Sequence, residues 1–177
     1  VGGGTGGHCI PMLSLYKRFI KLNINCQIIT DKKGAFFFKE LDQDNIFIIK
    51  TVTNLISKTE QLINFPIIFF QMIAHAINSK SIHLIGFGGY LTLPVLLSAK
   101  FANKKISIHE GNAVMGTANR ALSKYASNIF LTFDETKKIN KNFYSKTHTV
   151  GLPLRDEFRD LVLKNHKKFI ITVLGGS

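Results

Sequence analysis

The sequence predicts an α/β fold in which a Rossmann-like parallel sheet carries helices on both faces. Short apolar segments alternate with amphipathic segments along the 177 residues, which is the order that β-α-β units produce. Hydrophobic residues make up 45% of the chain and charged residues 19%. That is enough apolar surface to bury a core, so the composition excludes intrinsic disorder.

The strands and helices are predicted from the pattern of apolar residues. Strands buried on both faces read as short, nearly continuous apolar runs, and such runs occupy 24–30, 46–49, 81–86, 105–109, 128–132 and 169–174. Amphipathic helices have apolar residues three and four positions apart, as in 11–22, 60–78, 91–102 and 117–126. Residues 35–38 stay open between a short strand and a packed loop.

The chain is strongly basic, with 23 Lys and Arg against 11 Asp and Glu and a net charge of +12. Such an excess favours an anionic partner, which could be a nucleic acid, a membrane surface or a phosphorylated substrate. The abundance of Lys, Asn, Ile and Phe has a second explanation in A/T-rich coding, and both stay open. The longest apolar stretch, 65–77, is interrupted by polar residues and by Pro66. It is too short to cross a bilayer, which takes roughly 20 residues.

The cysteines and the two ends of the sequence set its expected context. Cys9 and Cys26 are too few for a disulfide framework or a four-ligand metal site, which indicates a reducing compartment. The sequence begins at Val1 rather than Met and stops within a glycine motif at 175–177. We therefore expect a piece cut at both ends, with the charged residues 155–168 leading into a second lobe.

The first chemical motif is the glycine-rich loop 2–7, which precedes a predicted helix. Glycines let backbone amides approach a ligand closely, and a helix start adds partial positive charge, so this loop suits a diphosphate. It also fits G-x-G-x-x-G, with Asp31 after the next strand where a dinucleotide-binding acid would lie. No Walker lysine follows the loop, since the next residue is His8. A tight turn without a ligand stays an alternative.

Two histidines stand at promising positions. His8 lies where the loop meets the helix, and an imidazole there could take a proton from a hydroxyl near neutral pH. The alternative is that it caps backbone groups. His109 and Glu110 end a predicted strand, at the sheet edge where open α/β folds bind ligands. The remaining histidines have no partner at metal-ligand spacing and are expected to be structural: His75, His83, His148 and His166.

A second glycine loop, 86–90, also lies between a strand and a helix, and with it the motifs become specific. The chain reads GGTGGH at 3–8, GGY-x-x-x-P at 88–94, HE-x-N-x-x-x-G-x-x-N-R at 109–120 and GLPLR at 151–155. In these motifs it resembles the MurG family of glycosyltransferases. The resemblance implies a GT-B architecture of two Rossmann-like lobes. Residues 1–155 would form the acceptor-binding N-terminal lobe, and 156–177 the connection and first strand of a donor-binding lobe.

The resemblance also implies an activity and a location. The reaction would move N-acetylglucosamine from UDP-N-acetylglucosamine, with inversion, to the C4 hydroxyl of undecaprenyl-pyrophosphoryl-muramyl-pentapeptide in peptidoglycan synthesis. The partners would be these two substrates and an anionic membrane surface, with no nucleic acid, metal or cofactor. The protein would be peripheral at the cytoplasmic face of the bacterial inner membrane, and this chain alone would be inactive.

Roles for individual residues follow from the same resemblance. His8 would be the general base. The positions matching donor contacts are Thr5, Gly6, Gly7, Asn112, Arg155 and Ser177. The positions matching the acceptor side are His8, Gly88, Gly89, Tyr90, Glu110 and Asn119. The chain departs from the family pattern at Gly111, where Gln is usual, and at Leu152, where Asn is usual. These departures remove two hydrogen-bonding side chains and put full activity in question.

Other interpretations remain open from sequence alone. The chain could be the dinucleotide-binding domain of an oxidoreductase, or a non-catalytic remnant that binds acceptor only. The pattern Asp42-Gln43-Asp44 matches the metal motif of a different transferase class, although it lies in a polar loop. A membrane-facing apolar patch, bordered by Lys58 and Lys80, could include Ile63, Phe65, Ile67, Ile68, Phe69 and Met72. The competing interpretation is that these residues are the buried face of a helix.

Overall fold

The computed structural model describes residues 1–52 and 57–158. Within them the strands are β1 Ile28–Thr30, β2 Ile46–Ile48, β3 His83–Gly86, β4 Lys105–Glu110, β5 Asn128–Leu131 and β6 Thr147–Thr149. The α-helices are α1 Gly6–Lys21, α2 Lys58–Asn78, α3 Thr92–Phe101 and α4 Thr117–Leu122. Short 3-10 helices occur at Gly34–Phe38, Gln43–Asn45, Lys141–Lys146 and Asp156–Phe158.

All the strand pairs are parallel, with β1 beside β2 and with β3, β4, β5 and β6 in that order. Residues 1–2 connect the two sets. The Gly2 amide donates to the Ile29 carbonyl at 3.2 Å, and the Phe87 amide donates to the Val1 carbonyl at 2.9 Å. The layer therefore runs β2, β1, residues 1–2, β3, β4, β5, β6. Strand order reverses between β1 and β3, which is where open α/β sheets bind ligands.

Helices cover both faces of this layer, as the sequence predicts. Neighbouring residues of one strand point to opposite faces, so Ile28 packs with α1 whereas Ile29 packs with α2 and α3. β3 repeats the alternation with Ile85 and Leu84. The α/β fold class and the two-faced sheet are confirmed.

Five of the predicted strands are present, and the sixth, 169–174, lies outside the described residues. β6 was not predicted, because Thr147-His148-Thr149 lacks the apolar character of the inner strands. It pairs with β5 at the margin of the four-strand set, where little of it is buried. The strand interpretation of residues 35–38 is wrong: they lie in the 3-10 helix, which begins where the Gly34 amide donates to the Asp31 carboxylate.

The start of α1 differs from the prediction in a way that matters for the site. The helix begins at Gly6 rather than at residue 11, because Thr5 has the extended backbone of an N-cap. The Thr5 carbonyl accepts the amides of His8 and Cys9 at 3.2 and 3.1 Å. His8 is therefore in the first helical turn, which fixes the direction of its side chain. The largest other shifts are of four residues, since β1 begins at 28 rather than 24 and α4 ends at 122 rather than 126.

Candidate active site

A cleft of about 550 Å³ opens at the carboxyl ends of β3 and β4. It is lined by the second glycine loop, by His8 in the first turn of α1, by the loop after β4, and by the amino-terminal turns of α2 and α4. All six predicted acceptor-side residues line it: His8, Gly88, Gly89, Tyr90, Glu110 and Asn119. Asn112, predicted on the donor side, lines it too. A second cavity, of about 400 Å³, lies between α1, α2 and the amino ends of the strands, and no predicted site residue lines it.

Asp31 connects the two glycine loops from beneath the cleft. Its Oδ1 accepts the Gly4 amide at 3.0 Å and the Gly34 amide at 2.8 Å, and its Oδ2 accepts the Tyr90 hydroxyl. Asp31 is 4% exposed, so these three donors replace water around a buried carboxylate. A Cβ on Gly3 would lie 2.6 Å from Oδ1, which explains the glycine there. Both oxygens serve internal bonds, which argues against the ribose-binding role that a dinucleotide site would require.

His8 packs against the second glycine loop, whose tip needs glycine. Gly88 and Gly89 have φ of +91° and +81°, a region that favours glycine. A Cβ on Gly88 would lie 3.1 Å from Cε1 of His8, and a Cβ on Gly89 would lie 3.3 Å from its Cδ2. Among the described residues, neither ring nitrogen of His8 has a hydrogen-bond partner. The imidazole is half-buried against this loop, and it caps no backbone group of the described residues.

Glu110 organises the loop after β4. It is 2% exposed, and its Oε1 accepts the backbone amide and the side-chain amide of Asn112 at 3.0 and 2.9 Å. Its Oε2 accepts the Gly116 amide and Nδ2 of Asn119, both at 2.9 Å. Four hydrogen bonds occupy the carboxylate, so Glu110 acts on the cleft by orienting the two asparagines. Glu110 lines the cleft, but sequence reasoning could not foresee that its oxygens are fully used.

Asn119 lines the cleft and is itself almost completely buried. Its Nδ2 donates to the His109 carbonyl at 3.1 Å as well as to Glu110, which fixes the orientation of the amide. Its Oδ1 is buried and has no partner among the described residues. An unsatisfied buried acceptor costs about 1–3 kcal/mol. A ligand hydroxyl or amide that donated to Oδ1 would remove that cost.

The predicted donor-side residues other than Asn112 lie outside the cleft. Thr5, Gly6 and Gly7 are at the amino end of α1, and no acidic residue occupies the first turn of that helix. Arg155 lies on the segment that follows β6, 3.9 Å from the Glu157 carboxylate and over the Phe158 ring. Ser177 is outside the described residues.

The two departures from the family pattern are neighbours in space. A Cβ on Gly111 would lie 3.8 Å from Cδ1 of Leu152, which is van der Waals contact. Leu152 thus covers the surface that the missing side chain of residue 111 would occupy. Their separation of 41 positions in the sequence concealed this contact.

The Asp42-Gln43-Asp44 pattern has a structural explanation. Asp42 is the N-cap of the 3-10 helix Gln43–Asn45, and its side chain accepts the Asp44 amide at 3.2 Å and the Asn45 side-chain amide at 3.3 Å. Capping is a common use of Asp at this position. Over the ranges 1–52 and 57–158 no group of three or more His, Cys, Asp and Glu is placed to hold a metal ion.

The buried thiol of Cys9 should make the fold less stable at alkaline pH. Burial raises the pKa of its thiol from 9.0 to about 12, and the nearby Asp31 charge adds to the shift. Because the thiol has a higher pKa in the folded state than in the unfolded state, its contribution to stability is fully present below pH 9. That contribution is lost as the pH rises from 9 towards 12, where the unfolded chain gives up the proton first. We expect the free energy of unfolding, measured with urea, to fall over this range and to fall less steeply in Cys9→Ala. Equal slopes for the two proteins would contradict this role.

Comparisons with known proteins show the family of the chain. Residues 1–131 match the model of the glycosyltransferase family 28 N-terminal domain. Two curated relatives carry the name UDP-N-acetylglucosamine–N-acetylmuramyl-(pentapeptide) pyrophosphoryl-undecaprenol N-acetylglucosamine transferase. The one from Zymomonas mobilis is 32% identical over 99% of this chain and 48% of its own length. The one from Francisella tularensis is 34% identical over 99% of this chain and 50% of its own length.

A solved structure shares the fold of this chain. The crystal structure of Acinetobacter baumannii MurG superposes with a TM-score of 0.62 at 24% identity, over 77% of this chain and 41% of the other. The present chain thus spans about half the length of the curated relatives it matches. The sheet topology, the glycine loops at its switch point and the match over residues 1–131 lead to one assignment. The chain belongs to glycosyltransferase family 28, and it contains the N-terminal domain of that family.

Proposed function

We propose that this chain is the acceptor-binding lobe of an inverting N-acetylglucosaminyltransferase of peptidoglycan synthesis, with the domain limits 1–155 and 156–177. The proposal rests mainly on one observation. The cleft at the switch point combines a fixed imidazole with free nitrogens, on His8, and an unpaired buried oxygen, on Asn119. The names of the relatives supply the substrate class: UDP-N-acetylglucosamine as donor and a lipid-linked muramyl-pentapeptide as acceptor.

In this proposal the acceptor saccharide occupies the cleft. A sugar hydroxyl or acetamido N–H donates to Oδ1 of Asn119, which satisfies the unpaired oxygen. Gly88 and Gly89 allow close approach, since neither has a side chain to fill the cleft. Tyr90 contacts the acceptor with its ring, because its hydroxyl is already bonded to Asp31. Glu110 keeps the asparagine amides in place.

The chemistry is a single displacement. The C4 hydroxyl of the muramyl sugar attacks the anomeric carbon of the donor, and the proton of that hydroxyl moves to a ring nitrogen of His8. The new bond joins the acceptor oxygen to that carbon, and the bond from the carbon to the diphosphate oxygen breaks. UDP leaves with the electron pair, and configuration inverts.

The leaving diphosphate needs positive potential, which the amino end of α1 supplies. The amides of its first turn carry partial positive charge. No acidic residue in that turn offsets this charge. We assign donor contacts to Thr5, Gly6 and Gly7 on this basis. Asn112, Arg155 and, from the second lobe, Ser177 complete the proposed donor side. No metal is required in this scheme.

The outward face of α2 fits a lipid surface. Leu62, Ile63 and Phe70 are 74%, 53% and 67% exposed, and such residues partition into the membrane interface. Ile68 and Met72 are core residues at 1% exposure, so for these two the buried-face interpretation holds and the patch interpretation does not. Leu62 also lines the cleft, so a lipid chain could leave the saccharide site directly onto this face. None of the helices described in 1–52 and 57–158 has the length and hydropathy of a membrane span.

We expect Phe70→Ser to weaken binding to anionic vesicles. Withdrawing one buried Phe side chain from an apolar phase costs about 1.5–3 kcal/mol, which is about 10- to 100-fold in affinity. Phe36→Ser is the matched control, because Phe36 is 63% exposed but belongs to the 3-10 helix that packs with α1 on the other face. Cosedimentation with vesicles measures both variants. Equal loss in the two, or no binding by the parent protein, would refute this membrane face and its proposed location on the inner membrane.

Transfer itself tests the proposal. The protein expressed from its full reading frame should move labelled N-acetylglucosamine from the UDP-sugar to a lipid-linked muramyl-pentapeptide, with an inverted anomeric linkage. Binding of the acceptor without transfer would support a non-catalytic remnant instead. Thermal stabilisation by a nicotinamide dinucleotide, with none by either proposed substrate, would favour the oxidoreductase alternative.

A further inference from the structure

His109 is a buried residue that contacts several parts of the site, and the proposed mechanism does not use it. It is 4% exposed, and its ring lies 5.3 Å from that of Phe87, the residue before Gly88. Its backbone carbonyl accepts Nδ2 of Asn119. Its Nε2 lies 3.1 Å from the Gly151 carbonyl. A carbonyl can only accept, so Nε2 carries the proton.

The Gly151 bond attaches the exit segment, residues 150–154, which leaves the sheet after β6. The amides of Val150 and Gly151 both donate to the Leu131 carbonyl, at 2.9 and 3.2 Å. Gly151 has φ of +75°, so the chain turns sharply here. Leu152 then lies over Gly111. The exit segment is thus held where it passes beside the loop that carries Asn112.

We propose that His109 is a positioning residue that fastens the exit segment to the sheet and to the wall of the cleft. It contacts the second glycine loop, Asn119 and Gly151 at once, so these three parts keep one relative arrangement. The consequence for catalysis rests on the proposed function. Arg155 directly follows the exit segment, so releasing that segment displaces a proposed donor contact while His8 and the acceptor cleft stay in place.

The ring is suited to this task because it stays neutral. Burial lowers the pKa of His109, although the Gly151 carbonyl and the Glu110 charge oppose the shift. A neutral imidazole with its proton on Nε2 donates one hydrogen bond without burying a charge. The groups around it are the Phe87 ring, the Asn119 side-chain amide, the Gly151 carbonyl and the charge of Glu110.

Two variants of His109 with amide side chains distinguish the effect of its hydrogen bond from the effect of having a polar side chain at this position. In His109→Gln the side-chain amide reaches the former Nε2 position, whereas in His109→Asn it is too short to reach Gly151. Hydrogen exchange in the 177-residue chain should be about 3- to 10-fold faster at the Val150 and Gly151 amides in the Asn variant, the effect of one lost hydrogen bond. The Gln variant should match the parent, and the Gly116 amide should not change in either.

The transfer assay carries the second readout. In the full-length protein, His109→Asn should raise KM for the UDP-sugar by about 10-fold or less, the effect of one hydrogen bond, with KM for the acceptor unchanged and the Gln variant restoring the parent value. If the Val150 and Gly151 amides exchange at the same rate in the Asn variant as in the Gln variant, the role of His109 is overturned. The proposed function would still stand. If the parent transfers no sugar, the proposed function fails, and the exchange rates still decide whether His109 holds the segment. An Asn variant that exchanges faster throughout would indicate general destabilisation and would also overturn the role.

Discussion

Asp31→Ala should lower the free energy of unfolding by about 3–5 kcal/mol, the largest stability loss that we expect from one polar substitution. The change leaves three donors without their acceptor, namely the buried Gly34 amide and the partly buried Gly4 amide and Tyr90 hydroxyl. Each unsatisfied buried group costs about 1–3 kcal/mol, partly relieved where water enters. Urea unfolding followed by circular dichroism measures the loss.

Asp44→Ala is the matched control, because Asp44 is exposed and should change stability by less than about 0.5 kcal/mol. Tyr90→Phe should cost less than Asp31→Ala, because it removes one of the three donors. The two changes should also be non-additive, because they share one hydrogen bond. An Asp31→Ala protein as stable as the Asp44→Ala protein would show that the two glycine loops do not depend on this carboxylate.

His8→Ala should reduce transfer by about 10²–10⁴-fold, the usual contribution of a positioned general base. The ring is held against Gly88 and Gly89, and its nitrogens have no competing partner in the described parts of the chain. The loss should appear in kcat, because the proton moves during bond formation. Steady-state kinetics with the full-length protein measure it, and KM for each substrate should change little.

His8→Gln separates the base from the packing of the ring, since glutamine fills part of the space but cannot accept the proton. It should be as inactive as the alanine variant and as stable as the parent protein. His148→Ala is the control, because His148 lies exposed on β6. Turnover near the parent value in His8→Gln would remove His8 as the base while leaving a binding role open.

The overall fold was predictable because its signals are local. Apolar periodicity located five strands and four helices. Glycines between strand and helix located the second glycine loop, which lines the cleft, and the first, which leads into the helix that carries His8. The start of α1 was harder, because glycine is a poor helix former and the motif reads as a loop. Only the extended backbone of Thr5 and the bonds to its carbonyl show that the helix begins at Gly6.

The parts that sequence could not give depend on contacts between distant residues. Asp31 resembles a ribose-binding acid when only its distance from the glycines is known, and its bond to Tyr90 joins positions 59 apart. Glu110 reads as a free carboxylate until its four donors are seen. On α2, periodicity alone did not reveal which apolar face was buried, so a surface patch and a buried face both stayed open for Ile68 and Met72 until their burial was seen.

Binding of the acceptor saccharide in the cleft is the central claim, and NMR titration tests it most directly. A soluble muramyl-pentapeptide diphosphate with a short prenyl chain would be added to the isotope-labelled 177-residue chain. The account predicts saturable shifts at the amides of Gly88, Gly89 and Asn119 and at the His8 ring, with none at His83, which lines the other cavity. Shifts centred on His83, or no saturable shifts in the cleft, would contradict it.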